Sequence, residues 1–236
     1  MLLRDKGLLE AAETLCRESL AMRQRVSASD HGSIARHVAQ LAIVLKHQGR
    51  LAEADKLHRS QLAVMETLYG PDHPQVVGVL FQLADLLTRE RQYDEAERLA
   101  RRALAIQGRA VGEQHLDYAE PLFHLADVLQ AKGELREAEA LRRRELAIMR
   151  RTYGAAHPNV TGSLHGLAEV LLDLGESAEA ELLLLEAKSN RDRRGAESPA
   201  AAMILPALAR LARARRDYSV ADSLLIRALR ILKTAG

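Results

Sequence analysis

A period of 42 residues runs through the chain and constrains its fold more than any other feature. Four histidines keep this spacing, and so does a Leu-Ala pair that occurs four times. These positions are His31, His73, His115 and His157, and Leu41-Ala42, Leu83-Ala84, Leu125-Ala126 and Leu167-Ala168. A fifth pair, Leu208-Ala209, comes one residue early. Several residue types that agree on one period indicate stacked structural repeats.

Each period predicts two helices. In residues 30–71, Val38, Leu41 and Leu45 recur at the spacing of one helix face. Gly49 is expected to end this helix, because glycine readily adopts the left-handed conformation of a helix end. A second helix follows, and Asp72 or His73 is expected to cap the helix after it. One helix pair cannot bury its apolar face alone, so the pairs are expected to stack.

The period divides the chain into a single array with one opening half-repeat. The expected boundaries are residues 1–29 for the half-repeat and 30–71, 72–113, 114–155, 156–197 and 198–236 for five repeats. Gly7 matches Gly49 and is expected to end a short first helix. Pro121 is expected to delay the start of its helix, and Pro206 to kink its own. The apolar last helix, residues 218–233, favours an array that continues or that pairs with another copy.

The composition favours an all-α fold and excludes several other classes. Apolar residues make up 47% of the 236 residues but aromatic residues only 3%, so the apolar mass is aliphatic and helix-forming. A net charge of +2 with this apolar content excludes disorder and gives no general case for nucleic-acid binding. Cys16 is the only cysteine, which favours a reducing, cytoplasmic setting. No apolar stretch approaches the length of a membrane span.

These features resemble tetratricopeptide repeats of the 42-residue kinesin-light-chain type. Leu41-Ala42, Gly49 and Ala54 follow the family pattern, and the segment 68–74 (LYGPDHP) is similar to the linker of that subtype. The resemblance implies an all-α, right-handed superhelical solenoid of antiparallel helix pairs, whose first helices line a concave groove. It also implies a protein–protein interaction scaffold. Light-chain repeats carry an asparagine before the Leu-Ala pair that contacts bound peptide, and the residues at that position here are Gln40, Gln82, His124 and Gly166.

The groove implied by the resemblance has a mixed lining. The candidate peptide-binding residues are Arg36, Gln40, Lys46, His47, Phe81, Gln82, Asp85, Arg89, Phe123, His124, Asp127, Gln130, His165 and Glu169. Such a lining suits an extended peptide held by backbone hydrogen bonds and a few side-chain contacts. The two phenylalanines either anchor a ligand or pack between neighbouring first helices, and the polar residues are alternatively a solvated face. Phe81→Ala is expected to weaken partner binding without unfolding the array.

No motif in the sequence indicates catalysis, a cofactor or a metal. Phosphate-binding glycine loops, metalloprotease motifs and nucleophile elbows are all missing. The four periodic histidines belong to successive helix pairs, whose axes are about 8–10 Å apart, so they are too distant to share one ion. Acidic residues near 142–144 (RRR) are expected to form solvated salt bridges. The sequence therefore predicts a protein that is not an enzyme.

Basic residues are concentrated at the C-terminal end of the chain. From Ser189 onward, ten basic residues face four acidic ones, and the predicted basic patch is Arg210, Arg213, Arg215 and Arg216. The alternative function is a regulatory or assembly segment of a larger multidomain protein that acts through its terminal faces and this patch. A protein or peptide partner is expected, without membrane insertion. Scarce aromatic residues weigh against nucleic acid, and self-association through the terminal helices is a further option.

Overall fold

The computed structural model describes residues 2–26, 31–192 and 202–234, and these residues form helices and short connections without a strand. The all-α repeat fold is confirmed. The α-helices are α1 (Leu2–Val26), α2 (His31–His47), α3 (Leu51–Tyr69), α4 (Val77–Arg89), α5 (Tyr93–Val111), α6 (Ala119–Lys132), α7 (Leu135–Tyr153), α8 (Val160–Asp173), α9 (Ser177–Asp192), α10 (Leu205–Ala214) and α11 (Tyr218–Thr234). Single 3₁₀ turns, Pro74–Val76 and Leu116–Tyr118, precede α4 and α6.

Helices alternate between two roles along the chain. The first helices of the pairs are α2, α4, α6, α8 and α10, and the second helices are α3, α5, α7, α9 and α11, with α1 equivalent to a second helix. The periodic alanines are almost fully buried in both roles, as Ala42 and Ala168 are in first helices and Ala54 and Ala180 in second helices. Their small side chains let the packed backbones approach closely, which explains why alanine recurs at these phases.

The first helices all end in the same left-handed turn. The residue with positive φ is Gly49, Arg91, Gly133, Gly175 or Arg216. In each turn the next backbone N–H donates to a carbonyl five residues earlier, for example Arg50 to Leu45 at 2.9 Å, which satisfies a carbonyl that the helix leaves unpaired. The glycines confirm the predicted helix ends. At the two arginines a side chain occupies a conformation that costs about 1–2 kcal/mol for residues other than glycine.

Three of the periodic histidines are helix caps, which decides between the two candidates for this role. In His73 and His115 the Nδ1 atom accepts a hydrogen bond from the backbone N–H two residues later at 3.2 Å, and in His157 at 3.1 Å. Tyr69 and Tyr153, which end the preceding helices, stack on His73 and His157 with ring centroids 5.3 and 5.0 Å apart. The histidine and tyrosine together therefore fix the turn between repeats. The side chain of His31 lies outside the described residues.

Three expectations about helix boundaries are wrong. Helix α1 runs without interruption through Gly7, so this glycine does not end a helix. Helix α6 begins at Ala119, at the same phase as α4, and Pro121 does not delay it. Helix α10 begins at Leu205, so Pro206 lies in its first turn and causes no kink. Both prolines occupy a first turn, where the missing N–H removes no intrahelical hydrogen bond.

Two compact units make up the chain, unit 1 over residues 1–110 and unit 2 over residues 111–236. In unit 1 a core cluster joins Leu41 and Leu45 of α2 to Ala54 of α3 and Leu86 of α4. In unit 2 a larger cluster joins leucines and alanines of α8, α9 and α10. Among the described helices, none combines the length and the apolarity that a bilayer span requires.

Candidate peptide-binding faces

The unit 1 face consists of the predicted site residues on α2 and α4. Lys46 Nζ lies 2.8 Å from Asp85 Oδ2, so the two first helices are neighbours, and Arg89 Nε lies 3.3 Å from the same carboxylate. Burial raises the pKa of Asp85, but the hydrogen bond from Lys46 and the charges of both cations outweigh it and hold that pKa below its ordinary value. Gln40 and His47 are exposed, and Gln82 is half-buried.

The unit 1 face carries more cations than anions. The predicted cationic residues of this face are Arg36 and Lys46 on α2 and Arg89 on α4. Its predicted carboxylate is Asp85 on α4. The side chain of Arg36 lies outside the described residues. Among the described side chains of this face, Lys46 and Arg89 both pair with Asp85.

Beneath the unit 1 face lies a buried histidine that the sequence analysis missed. His58 of α3 is only 4% exposed and lines a small recess with Lys46 and Gln82. Burial lowers the pKa of His58, and a hydrogen bond with Gln61 opposes that shift. The ring is therefore neutral near pH 7, and the floor of this face is uncharged. The equivalent second-helix position carries the buried Ala100 one repeat later and Arg142 two repeats later. The alanine at this position was a sequence signal for an interior location of His58.

Phe81 does not form an exposed platform on the unit 1 face. Its side chain is 4% exposed on α4, among the buried residues of that helix. Phe81→Ala is therefore expected to destabilise the array, because removing a buried aromatic ring leaves a cavity that the surroundings fill only in part. Of the two alternatives for Phe81, ligand anchoring and packing within the structure, the second agrees with its burial.

The unit 2 face consists of the polar first-helix residues of α6, α8 and α10. Gln130 Nε2 donates to Asp173 Oδ2 at 2.6 Å, which joins α6 to α8. Arg210 of α10 pairs with Glu169 and, at 2.7 Å, with Asp173 Oδ1. His165 Nε2 lies 3.5 Å from Glu169 Oε1. The hydrogen bond from His165, together with the charge of Arg210, holds the pKa of Glu169 below its ordinary value.

The unit 2 face is anionic on two of its three helices. Helices α6 and α8 contribute the carboxylates Glu120, Asp127, Glu169 and Asp173. Phe123 and His124 lie beside them, half-buried, with ring centroids 5.3 Å apart in an edge-to-face arrangement. His124 Nε2 is 3.9 Å from Glu120 Oε1. Anchoring of a ligand by Phe123 stays a prediction.

Arg142 is an exception to the solvated salt bridges expected around residues 142–144, which Arg143 and Arg144 do form. It lies on α7 beneath the unit 2 face and is 2% exposed. Its guanidinium pairs with Asp127 and, at 2.9 Å, with Glu145 Oε2, and its Cζ atom lies 4.3 Å from the centre of the Phe123 ring. Ser163 Oγ donates to Glu145 at 2.7 Å. The cluster is buried because the following first helix covers this side of α7.

The predicted basic patch is divided between separate environments. Arg210 belongs to the unit 2 face through its pairs with Glu169 and Asp173, and Arg215 pairs with Glu181 at 2.8 Å. Arg213 and Arg216 are exposed near the end of α10. Two of the four arginines are thus compensated by carboxylates of the same chain, and the patch is weaker than the sequence count indicates.

The chemistry that these faces offer is ion pairing and hydrogen bonding. Within the ranges that the structure describes, no group of three or more His, Cys, Asp or Glu side chains is arranged to hold a metal ion. The carboxylates, amides and guanidinium groups lie on the first helices of successive pairs. From there they can contact successive residues of an extended chain.

Comparison with known proteins identifies the repeat. A tetratricopeptide-repeat family model matches residues 34–109, 77–141 and 117–193, and a second tetratricopeptide-repeat model matches residues 1–32. Together these matches cover well over half of the chain. No curated protein matches significantly in sequence.

Solved structures share the fold along most of the chain. BtubC (BKLC) from P. vanneervenii is 21% identical over 96% of this chain and 92% of its own, with a TM-score of 0.78. A Podosopora anserina putative kinesin light chain with nearly identical TPR-like repeats is 26% identical over 87% of this chain and 98% of its own, with a TM-score of 0.70. The apo form of RapI is 14% identical over 99% and 96%, with a TM-score of 0.67.

Proposed function

Because the chain belongs to the tetratricopeptide-repeat family, we propose that it is a protein–protein interaction scaffold that binds a peptide or protein partner along its first helices. The observation that carries the proposal is the contrast between buried and accessible residues on these helices. Leu41 and Leu83 pack in the interior, whereas Gln40, Asp85 and Asp127 present polar groups at the surface. Such polar groups on successive repeats suit a ligand that runs across them.

The proposal describes a non-catalytic protein with a cytoplasmic location. Repeat folds of this family typically provide surfaces for partners, and the ionisable groups of both faces form ion pairs with one another. Cys16 is a free thiol, which a reducing compartment preserves.

A pair of matched arginine variants tests the proposal on unit 1. Arg89 on the first helix α4 and Arg98 on the second helix α5 are both exposed, and each lies 3.3 Å from a carboxylate within one turn of its own helix. The tagged protein, Arg89→Glu and Arg98→Glu are used for affinity capture followed by mass spectrometry. We expect partners to be lost with Arg89→Glu and kept with Arg98→Glu. If both variants retain the same partners, binding along this face is wrong.

A second candidate function is an assembly role for the C-terminal helix pair, and the exposed side chains of α11 favour it. Ile226, Leu229 and Leu232 are each more than half exposed, and Arg213 lies on the neighbouring α10 with Arg216 in the turn that follows it. Leu229→Lys tests the apolar surface in sedimentation, and Arg213→Glu with Arg216→Glu tests the basic one in the capture experiment. A monomer at all concentrations and unchanged capture would both count against this role.

A further inference from the structure

Asp127 on the unit 2 face is held from below by a buried cation. The Asp127 side chain is 45% exposed, while the guanidinium of Arg142 that pairs with it is almost fully covered. The second terminal nitrogen of Arg142 is used by Glu145 at 2.9 Å, so the guanidinium cannot turn away. A carboxylate that is fixed in this way loses little conformational entropy when a ligand binds to its exposed surface.

Gly166 makes room for this guanidinium. A Cβ atom at position 166 would lie 2.9 Å from Cζ and 3.1 Å from Nε of Arg142. The space that a side chain takes at this position of a repeat is therefore filled from beneath by Arg142. Its Nε–H has no hydrogen-bond partner among the described residues, although the side chain is 3% exposed. Arg142 therefore keeps its place beneath Asp127 because position 166 carries no side chain.

Two further carboxylates of the face are paired with a cation of the chain itself. Arg210 spans Glu169 and Asp173, with one terminal nitrogen on each. These carboxylates are about one quarter to one third exposed, so a ligand can reach them. The ion pairs of Arg210 show how a guanidinium or ammonium group binds to this part of the surface.

We propose that the unit 2 face binds an extended segment of a partner protein that is rich in lysine or arginine. Its cationic side chains pair with Asp127, Glu169 and Asp173. Arg210 competes with the ligand for Glu169 and Asp173. This inference rests on the proposed function and adds the chemical class of the partner. An acidic partner or an anionic lipid surface would be repelled by the carboxylates of α6 and α8.

Labelled peptides of defined composition test the charge preference. The probes are two short fluorescein-labelled peptides with blocked ends, one of alternating Lys and Ser and one of alternating Glu and Ser, and the readout is fluorescence anisotropy at low and high salt. The variant Asp127→Asn with Glu169→Gln removes two carboxylates of the face. Its control, Glu139→Gln with Glu179→Gln, removes two carboxylates that pair with Arg143 on the second helices α7 and α9.

We expect the Lys-Ser probe to bind and the Glu-Ser probe to bind at least roughly tenfold more weakly. The face variant should weaken the Lys-Ser probe by about tenfold or more, because charge-assisted hydrogen bonds are lost, and the control should not. Arg210→Gln should tighten binding of the Lys-Ser probe several-fold, which is opposite to the effect expected if Arg210 served an acidic partner. An equal loss in face variant and control, or weaker binding with Arg210→Gln, would overturn the inference.

Gly166→Ala tests the geometry without changing any charge. The added methyl must displace the guanidinium of Arg142, so we expect weaker binding of the Lys-Ser probe while circular dichroism shows an intact helix content. Unchanged affinity would remove Arg142 from the inference. If the face variant instead weakens the Glu-Ser probe, the face binds peptides of the other class, so the proposed function stands and this inference fails.

Discussion

The two faces use the same repeat position in opposite ways. In unit 1 the floor residue is the neutral His58, and the charges above it, Lys46 and Asp85, come from neighbouring first helices. In unit 2 the floor residue is Arg142, whose buried guanidinium forms an ion pair with Asp127 above it. The phase within the repeat is identical, and the charge of the face differs. A repeat therefore sets where a side chain lies, while its chemical role depends on the neighbours that cover it.

The largest effect is expected for the buried pair of unit 2. Arg142→Met leaves Glu145 buried with Ser163 as its remaining hydrogen-bond donor, and breaking a buried pair from one side costs about 3–5 kcal/mol. Lys46→Met, in the partly buried pair of unit 1, should cost less, about 1 kcal/mol, because Arg89 still pairs with Asp85. Urea denaturation followed by circular dichroism gives both values. Arg142→Met with Glu145→Gln should recover much of the loss, and equal costs for the two single variants would remove the contrast between the faces.

Phe81 and Phe123 occupy one phase of the repeat but differ in burial. Phe81→Ala should lower the free energy of unfolding by about 3–4 kcal/mol, because the ring is buried. Phe123→Ala should cost less, about 1–2 kcal/mol, since the ring is half-buried and loses mainly its contact with Arg142. Thermal unfolding of the two variants compares them. A larger loss for Phe123→Ala would show that the ring has a structural role comparable to that of Phe81.

The left-handed turns predict a gain in stability in both units. Arg91→Gly in unit 1 and Arg216→Gly in unit 2 should each stabilise the chain by about 1 kcal/mol, because glycine adopts positive φ without the steric cost. The reverse change, Gly133→Ala, should destabilise it by a similar amount. A Cβ at Gly133 meets no atom within 4 Å, so that cost comes from the backbone alone. Destabilisation by Arg91→Gly would indicate that the arginine side chain stabilises the turn.

The smallest expected effect is a pH dependence of the folding stability that arises from His58 in unit 1. Burial lowers the pKa of His58 below its ordinary value of about 6.5, so the unfolded chain takes up this proton first as the pH falls. The neutral His58 ring therefore stabilises the folded chain at pH values above its ordinary pKa, and this contribution is lost on acidification. His58 is flanked by Lys46 of α2, Asp55 of its own helix and Asp85 of α4.

Urea denaturation of the wild type and His58→Gln at pH 7 and pH 5 checks this dependence. We expect the wild type to lose more stability than the variant over this interval, since glutamine does not titrate. Identical losses would show that other groups account for the acid sensitivity. Glu13, whose hydrogen bonds from Gln48 and Arg50 lower its pKa to about 2, should contribute only at more acidic pH.

Much of the fold followed from the repeat pattern. The Leu-Ala pairs and the second-helix alanines are buried, the periodic histidines cap helices, and Gly49, Gly133 and Gly175 end them. Each of these roles is local, because it depends on a few residues around one turn or on one helix face. The continuation of α1 through Gly7 was missed because a glycine ends a helix only where the following residues favour a turn.

The candidate site was predicted less completely. The predicted first-helix residues whose side chains are described are half-buried or exposed, with the exception of Phe81, and the phases did not separate Phe81 from Phe123. Helix periodicity describes one helix at a time, whereas burial depends on what packs against it. His58 and Arg142 were missed for the same reason, since both are polar residues on second helices that look solvated in isolation.

The sequence by itself determined an all-helical tetratricopeptide-repeat array, because its apolar, alanine and glycine positions recur at one period and each acts through local geometry. Only the tertiary structure decided which charges are buried and which are presented. Arg142 is buried because Gly166, far along the chain, leaves space for its guanidinium, and Arg210 joins Glu169 and Asp173 because consecutive first helices lie side by side. The energy of a charge depends on its distance to other charges and to water, and those distances exist only in the folded chain.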